Sequence, residues 1–368
     1  MLEKLLKIED NWVIFFDLFS KSGNGDSVYP VAQELRKRRP DMKFFFCTNP
    51  KNKKDFIEMA DEILVEKSLR FKYVCAKAKY MVSPMGFPRV KKRKGQVLVQ
   101  TWHGSPLKKL YLSKDAANKK YLKYTRNFRD TDMFCSQGDF HNGNLAEAFN
   151  LKSEQIMNTG LPRNDILFSA DEKFKTDLKK ELGLPCDKKV LFYCPTWRRY
   201  DRKSVLPFDL QALKEKLGDK YCILIRSHVG KHIWVDENNK QIKLFDNEFS
   251  FDGGNYPEVT HLYLISDVLI SDYSSSIFDF AITGKPQIFY AYDLEEYEAE
   301  FGLYFNYKDF IIGDLCTNTA ELTDAVISLD QYDEKYRKKY KTFQTQYLPA
   351  EKGTASKQVV DFMLNGAR

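Results

Sequence analysis

Short apolar runs alternate along the chain with longer segments in which apolar residues recur every three to four positions. The first such series consists of the run WVIFF, a glycine-rich loop, the segment VYPVAQELRKRR and a second run, KFFFC. Apolar runs of this length are typical of strands buried on both faces, and the longer segments are typical of amphipathic helices. The order β–loop–α–β predicts a doubly wound parallel sheet and therefore an α/β fold.

The pattern continues to about residue 163 and then begins again. QVLVQ, MFCS and IMN predict further strands of the first series, and VLFYC, YCILI, DVLI and PQIFY predict strands of the second. At 368 residues the chain is also longer than one ordinary core requires. We place the boundary between Arg163 and Cys186 and predict two Rossmann-like domains facing each other, an N-terminal one over 1–170 and a C-terminal one over 171–368.

Composition narrows the setting in which the chain works. Its seven cysteines are scattered without a C-x-x-C pair, and several lie in apolar runs. This usage predicts buried thiols in a reducing compartment rather than disulfides or a zinc site. No stretch approaches the roughly 20 apolar residues of a membrane span, and the amino terminus does not resemble a signal peptide. We expect a cytoplasmic protein, either soluble or bound peripherally to a membrane.

Positive charge is concentrated in one segment. The net charge is +7, and residues 89–129 contain many Lys and Arg but a single acid, Asp115. Such a segment is a solvated basic face, or a surface for an anionic membrane, a polyanionic substrate or nucleic acid. No nucleic-acid-binding fold motif is present, so we expect no nucleic-acid partner.

A candidate base lies in the stretch QTWHGSPLKKL. His103 follows the predicted strand QVLVQ, where a neutral imidazole can take a proton from a hydroxyl near neutral pH. Gly104 would let a substrate approach the backbone, and Lys108 follows four positions later in the sequence. The alternative is a structural histidine in a packed turn.

A candidate anion site lies in the stretch SDYSSSIFDFA. The chain turns there from a predicted strand into a helix, with Ser274 or Ser275 at the N-cap and Asp279 one turn further on. Hydroxyls and free backbone N–H groups at such a turn suit phosphate, and Asp279 could reach a ribose diol. The alternatives are simple helix capping by the serines and satisfaction of the helix N-terminus by Asp279.

Cationic and hydroxyl side chains follow two other strands of the second series. Thr196 and Arg198 follow VLFYC, and Arg guanidinium groups match phosphate oxygens. The alternative is an arginine that stacks on a ring or pairs with an acid. Arg226 and His228 alternate on one strand face, which also suits phosphate, although both could be ordinary surface residues. There is no dinucleotide, Walker or G-x-S-x-G motif and no carboxylate cluster, so we predict no metal.

Six stretches resemble, in order, motifs of the CDP-glycerol glycerophosphotransferase family of teichoic acid and capsule synthesis. They are TWHGSPLKKL, TGLPRND, YCPTWR, IRSH, SDVLISDYSSSIFDFA and KPQIFYAYDLEEYE, and the resemblance covers roughly residues 72 to 314. It implies a GT-B fold, with an N-terminal acceptor domain, a C-terminal CDP-donor domain and the active site in the cleft between them. It implies transfer of glycerol phosphate, or another polyol phosphate, from a CDP-polyol such as CDP-glycerol to a hydroxyl, releasing CMP without a cofactor.

The resemblance also assigns roles to residues of this chain. His103 becomes the general base, and His228 becomes a second catalytic residue that holds the donor pyrophosphate together with Ser274 and Ser275. The acceptor would be a lipid-linked saccharide or a polyol-phosphate chain, so we expect the protein on the inner face of the plasma membrane. The residues expected at the acceptor or the anionic membrane surface are Lys91, Lys92, Arg93, Lys94 and Lys108.

Departures from the family pattern leave the polyol and the acceptor open. Phe301 stands where the family often has Arg, and Val229 stands where it usually has Pro. The chain is little more than the family core, which favours a priming enzyme that makes a single addition. The alternatives are a poly(glycerol or ribitol phosphate) polymerase, a GT-B hexosyltransferase that uses a sugar nucleotide, and a membrane-associated scaffold with a degenerate site.

Overall fold

The structure is a computed structural model that describes residues 6–17, 26–48, 58–86, 91–196, 198, 204–226, 234–235 and 244–366. It divides into two compact units. The first contains the described residues up to Pro106, Leu110–Phe168 and the segment from Tyr347 onward, and the second contains Leu107–Lys109 and Ser169–Gln346. The predicted α/β class with two domains is confirmed.

The regular elements follow the alternation seen in the sequence. The strands are β1 Glu9–Asp17, β2 Lys43–Thr48, β3 Glu62–Leu64, β4 Ala78–Ser83, β5 Val97–Gln100, β6 Met133–Ser136, β7 Ile156–Asn158, β8 Lys189–Tyr193, β9 Ser204–Val205, β10 Tyr221–Ile225, β11 Trp234–Val235, β12 Ser250–Asp252, β13 Val268–Ser271, β14 Gln287–Tyr290 and β15 Leu315–Cys316. The helices are α1 Val28–Arg38, α2 Leu69–Lys77, α3 Tyr111–Lys114, α4 Lys119–Thr125, α5 Asp139–Phe149, α6 Ile166–Ser169, α7 Glu172–Glu181, α8 Leu210–Leu217, α9 Val259–Ile265, α10 Ser276–Ala281, α11 Leu294–Phe301, α12 Tyr307–Phe310, α13 Thr319–Ile327, α14 Tyr332–Tyr347 and α15 Ala355–Asn365.

The first unit is built on a parallel sheet of seven strands in the order β3-β2-β1-β4-β5-β6-β7. Strand alternation sends Val13 and Phe15 of β1 to one face of this sheet, and Ile14 and Phe16 to the other. Both faces are covered by helices, which explains why the strands are continuous apolar runs instead of alternating with polar residues.

The carboxyl-terminal segment belongs to the first unit, which corrects the predicted end of the second domain. Helix α15 buries Val359, Val360 and Met363 in the same core as β1 and α1. The carboxylate of Asp165 accepts hydrogen bonds from the backbone N–H groups of Ala355 and Ser356 at 2.9 and 2.8 Å, which fixes the start of this helix. The chain therefore returns to the first domain after residue 346, and the second domain ends there, not at 368.

The second unit repeats the same design. Its main parallel sheet has six strands in the order β12-β10-β8-β13-β14-β15, beside a two-stranded pair of β9 and β11. Counted from β8, this is the strand order 3-2-1-4-5-6 of a Rossmann fold, with the order reversing between β8 and β13. Ligands of such sheets bind where the order reverses, beyond the carboxyl ends of the strands, so this edge is where a site is expected.

Two further sequence expectations concern cysteines and membrane spans. Six of the seven cysteines are buried, Cys186 is exposed, and all seven are free thiols. Within the ranges that the structure describes, no helix is both long and apolar enough to cross a bilayer.

Candidate active site

The loop that carries His103 leaves the carboxyl end of β5 in the first unit. His103 is half-buried, between the buried Trp102 and Gly104. The rings of Trp102 and His103 lie 3.8 Å apart between centroids. The strand end therefore places an imidazole at the carboxyl edge of the first sheet, as the sequence predicts.

The backbone of this loop is held in an unusual conformation. Trp102 has a φ of 55°, in the left-handed region that a bulky residue rarely occupies. Its indole ring packs against Phe149, Phe134 and Phe128 at centroid distances of 4.5, 6.0 and 6.3 Å. Strain of this kind persists where the surroundings fix it, and it concentrates at functional sites. The aromatic cluster thus anchors the residue before His103.

In the second unit, the expected site edge brings together the segments that follow β8 and β13. The carboxylate of Asp272 accepts hydrogen bonds from the backbone N–H and the hydroxyl of Thr196 at 2.8 and 2.7 Å. Sequence reasoning selected Thr196 and the serines after β13 but missed Asp272. The signal was available, because Asp272 is the first residue after the strand in the SDYSS motif.

Arg198 is buried in an ion cluster and does not face solvent, which corrects the expectation that it binds the donor phosphates directly. Its guanidinium donates to Asp272 at 2.5 Å and, through two nitrogens, to Asp293 at 2.8 Å each. Burial lowers the pKa of Arg198, but Asp272 and Asp293 outweigh it and raise the pKa above its ordinary value. The arginine therefore links the segments after β8, β13 and β14, and Asp293 is a second residue that the sequence analysis missed.

The serines after β13 are half-buried and lie beside this cluster. Ser275 occupies the N-cap position of α10 without a side-chain hydrogen bond to the helix. Ser274 instead donates to the hydroxyl of Ser276 at 2.9 Å and accepts from its N–H. The capping alternative is therefore not what the Ser275 side chain does. Asp279 is completely buried, so it does not present a carboxylate to a ribose in this structure.

Arg226 is half-buried and holds a neighbouring loop. Its guanidinium donates to the carbonyl oxygens of Gly253 and Pro257 at 3.0 and 3.2 Å, and also to that of Tyr256. These contacts make it a support for residues 253–257 at the carboxyl edge of the second sheet. His228 lies outside the described residues, so its predicted role stays a prediction.

Four of the five basic residues predicted at the acceptor or membrane divide into two groups. Lys91 and Lys94 are exposed, whereas Lys92 forms an ion pair with Asp132 and Arg93 donates to the carbonyl oxygen of Leu6 at 2.6 Å. Lys92 and Arg93 thus make structural contacts, and a role at a membrane surface does not fit them. In the second unit, Lys108 lies with its Nζ 3.4 Å from the hydroxyl of Tyr297 and 5.2 Å from the ring of Phe301.

Four exposed cations of the segment lie together on α4 and just after it. We use the name α4 basic face for Lys119, Lys120, Lys123 and Arg126, all of which are exposed. Leu122 stands among them and is 40% exposed.

Two parallel sheets in Rossmann order, with candidate chemistry at the carboxyl edge of each, define an α/β protein of two Rossmann-like domains. Comparison with known proteins gives the family. The chain matches the CDP-glycerol:poly(glycerophosphate) glycerophosphotransferase family over residues 1–365, and it belongs to that family of enzymes. The resemblance seen in the motifs is confirmed.

Three similar proteins illustrate the match. A teichoic acid glycerol-phosphate transferase of Staphylococcus aureus is 36% identical over 71% of this chain and 69% of its own length. A teichoic acid poly(glycerol phosphate) polymerase of Bacillus spizizenii is 32% identical over 98% of this chain and 93% of its own. The solved structure of the wall teichoic acid polymerase TagF superposes with a TM-score of 0.85 at 27% identity, covering 98% of this chain and 91% of that one. The chain spans about half the length of other curated relatives that it matches.

Proposed function

We propose that this protein transfers glycerol phosphate from CDP-glycerol to a hydroxyl of a lipid-linked saccharide or a growing teichoic acid or capsule chain, releasing CMP. Family membership supports the reaction class, and a TagF structure was determined after a soak with CDPG. The observation that carries the proposal is the loop after β5, where a strained Trp102 fixes His103 at the carboxyl edge of the first sheet. The GT-B arrangement with the site in a cleft is part of the same proposal.

In this mechanism His103 is the general base. Its imidazole takes the proton of the acceptor hydroxyl as that oxygen bonds to the β-phosphorus of the donor, which carries the glycerol. The bond from this phosphorus to the oxygen of CMP breaks, and CMP leaves with its electron pair. Transfer of this kind depends on positioning and on charge stabilisation, which His, Ser, Arg and Lys side chains supply.

The donor would bind at the carboxyl edge of the second sheet. Ser274 and Ser275 are half-buried there, and the side chain of Ser275 makes no capping bond, so their hydroxyls suit the donor pyrophosphate. His228 completes this site in the proposal. The cluster of Arg198 with Asp272 and Asp293 holds the segments after β8, β13 and β14 together, so it acts on the donor through the serines.

We further propose that the protein works on the cytoplasmic face of the plasma membrane, with the α4 basic face toward anionic lipid. Several exposed cations beside an exposed Leu122 favour such a surface. In this proposal the α4 basic face replaces Lys92 and Arg93 as the contact with lipid. Lys91 and Lys94, on either side of these two in the sequence, remain exposed charges.

The direct test is incubation with CDP-glycerol, CDP-ribitol or a UDP-sugar, each with a synthetic lipid-linked disaccharide. We expect CMP release with CDP-glycerol and a product heavier by glycerol phosphate. One added unit supports the expected priming enzyme, and a ladder of masses supports a polymerase. Turnover with the UDP-sugar but with neither CDP-polyol contradicts the proposal. A parallel reaction with a chelator tests the expectation that no metal cofactor is needed.

The role of His103 has its own test. His103→Ala should lower the transfer rate by about 10²- to 10⁴-fold, the usual contribution of a general base. Binding of CDP, measured by calorimetry, should stay nearly unchanged, because the donor contacts lie in the second unit. Undiminished transfer by the variant excludes this role, and loss of the folded state supports the structural alternative.

A further inference from the structure

A chain of buried hydrogen bonds begins at Ser105, two residues after His103. The hydroxyl of Ser105 donates to the side-chain oxygen of Gln137. Gln137 directly follows β6, the strand that pairs with β5, so the bond joins the loops at two neighbouring strand ends. Ser105 is 4% exposed and Gln137 is fully buried, so neither is available to a substrate.

The chain of bonds ends at a carboxylate that comes from the far end of the sequence. The amide nitrogen of Gln137 donates to Oε1 of Glu351 at 2.8 Å. The same oxygen accepts from the backbone N–H of Leu161 at 3.1 Å and from the side-chain amide of Asn164 at 3.0 Å. Glu351 is 6% exposed, and Leu161 and Asn164 belong to the TGLPRND motif.

The carboxylate determines the direction of every bond in this chain. Oε1 of Glu351 already accepts from the backbone N–H of Leu161, which can only donate, so the amide of Gln137 must turn its NH₂ group toward this oxygen. Its oxygen then faces Ser105, and the hydroxyl of Ser105 must be the donor. The acceptor oxygen of Glu351 thus fixes the orientation of the Gln137 amide and the hydroxyl rotamer of Ser105, in the loop that carries His103.

We propose that Glu351, acting through Gln137 and Ser105, is a positioning residue that holds His103 in the orientation required for proton transfer. The inference rests on the proposed function. The loop needs such a hold, because Trp102, the residue before His103, is in a strained conformation that its aromatic cluster fixes. The bond from Ser105 holds the other side. Leu161 and Asn164 already hold Glu351 in place without the bond between Ser105 and Gln137. A carboxylate with a purely structural role would therefore not need that bond.

Ser105→Ala tests the link without removing the carboxylate. The transfer kcat should fall roughly 10- to 100-fold, because a small misplacement of a catalytic group has this effect, while the KM for CDP-glycerol stays within about twofold. Ser266→Ala is the matched control, because Ser266 is also fully buried and donates to a backbone carbonyl, that of Leu262, at 2.6 Å. Both variants should lose a similar small amount of thermal stability, and only Ser105→Ala should lose kcat.

Glu351→Gln is the second variant and keeps an acceptor oxygen at this position. It should remain folded and lose kcat, because an amide at position 351 can also present its NH₂ group and so no longer forces the direction of the Gln137 bond. Parent-level kcat in either folded variant overturns the proposal. Parent-level kcat in these variants contradicts this inference alone if the parent transfers glycerol phosphate and His103→Ala does not. An inactive parent contradicts the proposed function instead.

Discussion

At the scale of single residues, burial decides what several polar side chains can do. Arg198 and Ser274 lie at the same edge of the second sheet, yet the side chain of Arg198 is 5% exposed and bound to two carboxylates, while Ser274 is half-buried. The sequence pattern predicts a donor-binding role for both residues. Sequence reasoning could not separate them, because the carboxylates that bind Arg198 lie 74 and 95 positions further along the chain.

This difference predicts opposite effects of two substitutions. Arg198→Leu leaves two buried carboxylates without their partner and should lower the free energy of unfolding by about 3–5 kcal/mol. Ser274→Ala should leave stability nearly unchanged and weaken CDP binding by about 1–3 kcal/mol, the loss of a hydrogen bond to a charged group. Urea unfolding and calorimetry with CDP measure the two effects. If Arg198→Leu is stable but binds CDP more weakly, the result would instead support the prediction from sequence that Arg198 contacts the donor directly.

A buried histidine predicts acid sensitivity. Burial lowers the pKa of His141 to about 4, and its Nε2 lies 2.9 Å from the carbonyl oxygen of Tyr347. Between pH 6.5 and 4 the unfolded chain binds a proton at this site that the folded chain does not bind, so stability falls as the pH falls through this window. The full effect is about 3 kcal/mol. In urea titrations from pH 7 to 4, His141→Gln should lack this share of the loss, and a pH dependence identical to that of the parent would show that another group carries it.

At the scale of elements, the strands and most helices could be predicted because their signals are local. Helix α7 is an example, because it begins after the N-cap Asp171 and is followed by Gly183 at a φ of 67°. The carboxyl-terminal helix has an equally clear apolar face, but its pattern does not say which sheet covers that face. This is why α15 was assigned to the wrong domain, and why Glu351 was not recognised near the His103 loop.

The α4 basic face gives a prediction about lipid surfaces. Replacing Lys119, Lys120 and Lys123 by Gln should weaken sedimentation with anionic vesicles at low salt, since each cation near such a surface contributes about 1 kcal/mol. The matched control is the same change at three exposed lysines of α14, which removes equal charge from the second unit: Lys338, Lys339 and Lys341. Equal loss of vesicle binding in both variants would point to net charge and not to α4.

At the scale of the whole molecule, the two sheets share one strand order, but only the second unit is nearly continuous in sequence. The first needs the segment after Tyr347 for its core and for the start of α15. Ending the chain at Gln346 should therefore destabilise the first unit by several kcal/mol, because three large apolar side chains leave its core. The second unit should keep its stability. Hydrogen exchange resolved by segment measures both, and uniform loss of protection in the two units would contradict this division.

The return of the chain to its first domain also has a consequence during synthesis. A ribosome releases the strands of the first sheet early, but α15, which covers part of one face of that sheet beside α1, follows roughly 200 residues later, after about 10–40 s at ordinary elongation rates. The second domain can therefore be complete while the first still exposes apolar surface to the cytosol. A nascent chain of this kind is a natural client for chaperones that bind at the ribosomal exit, and synthesis that stalls before residue 355 would leave a folded half attached to an aggregation-prone one.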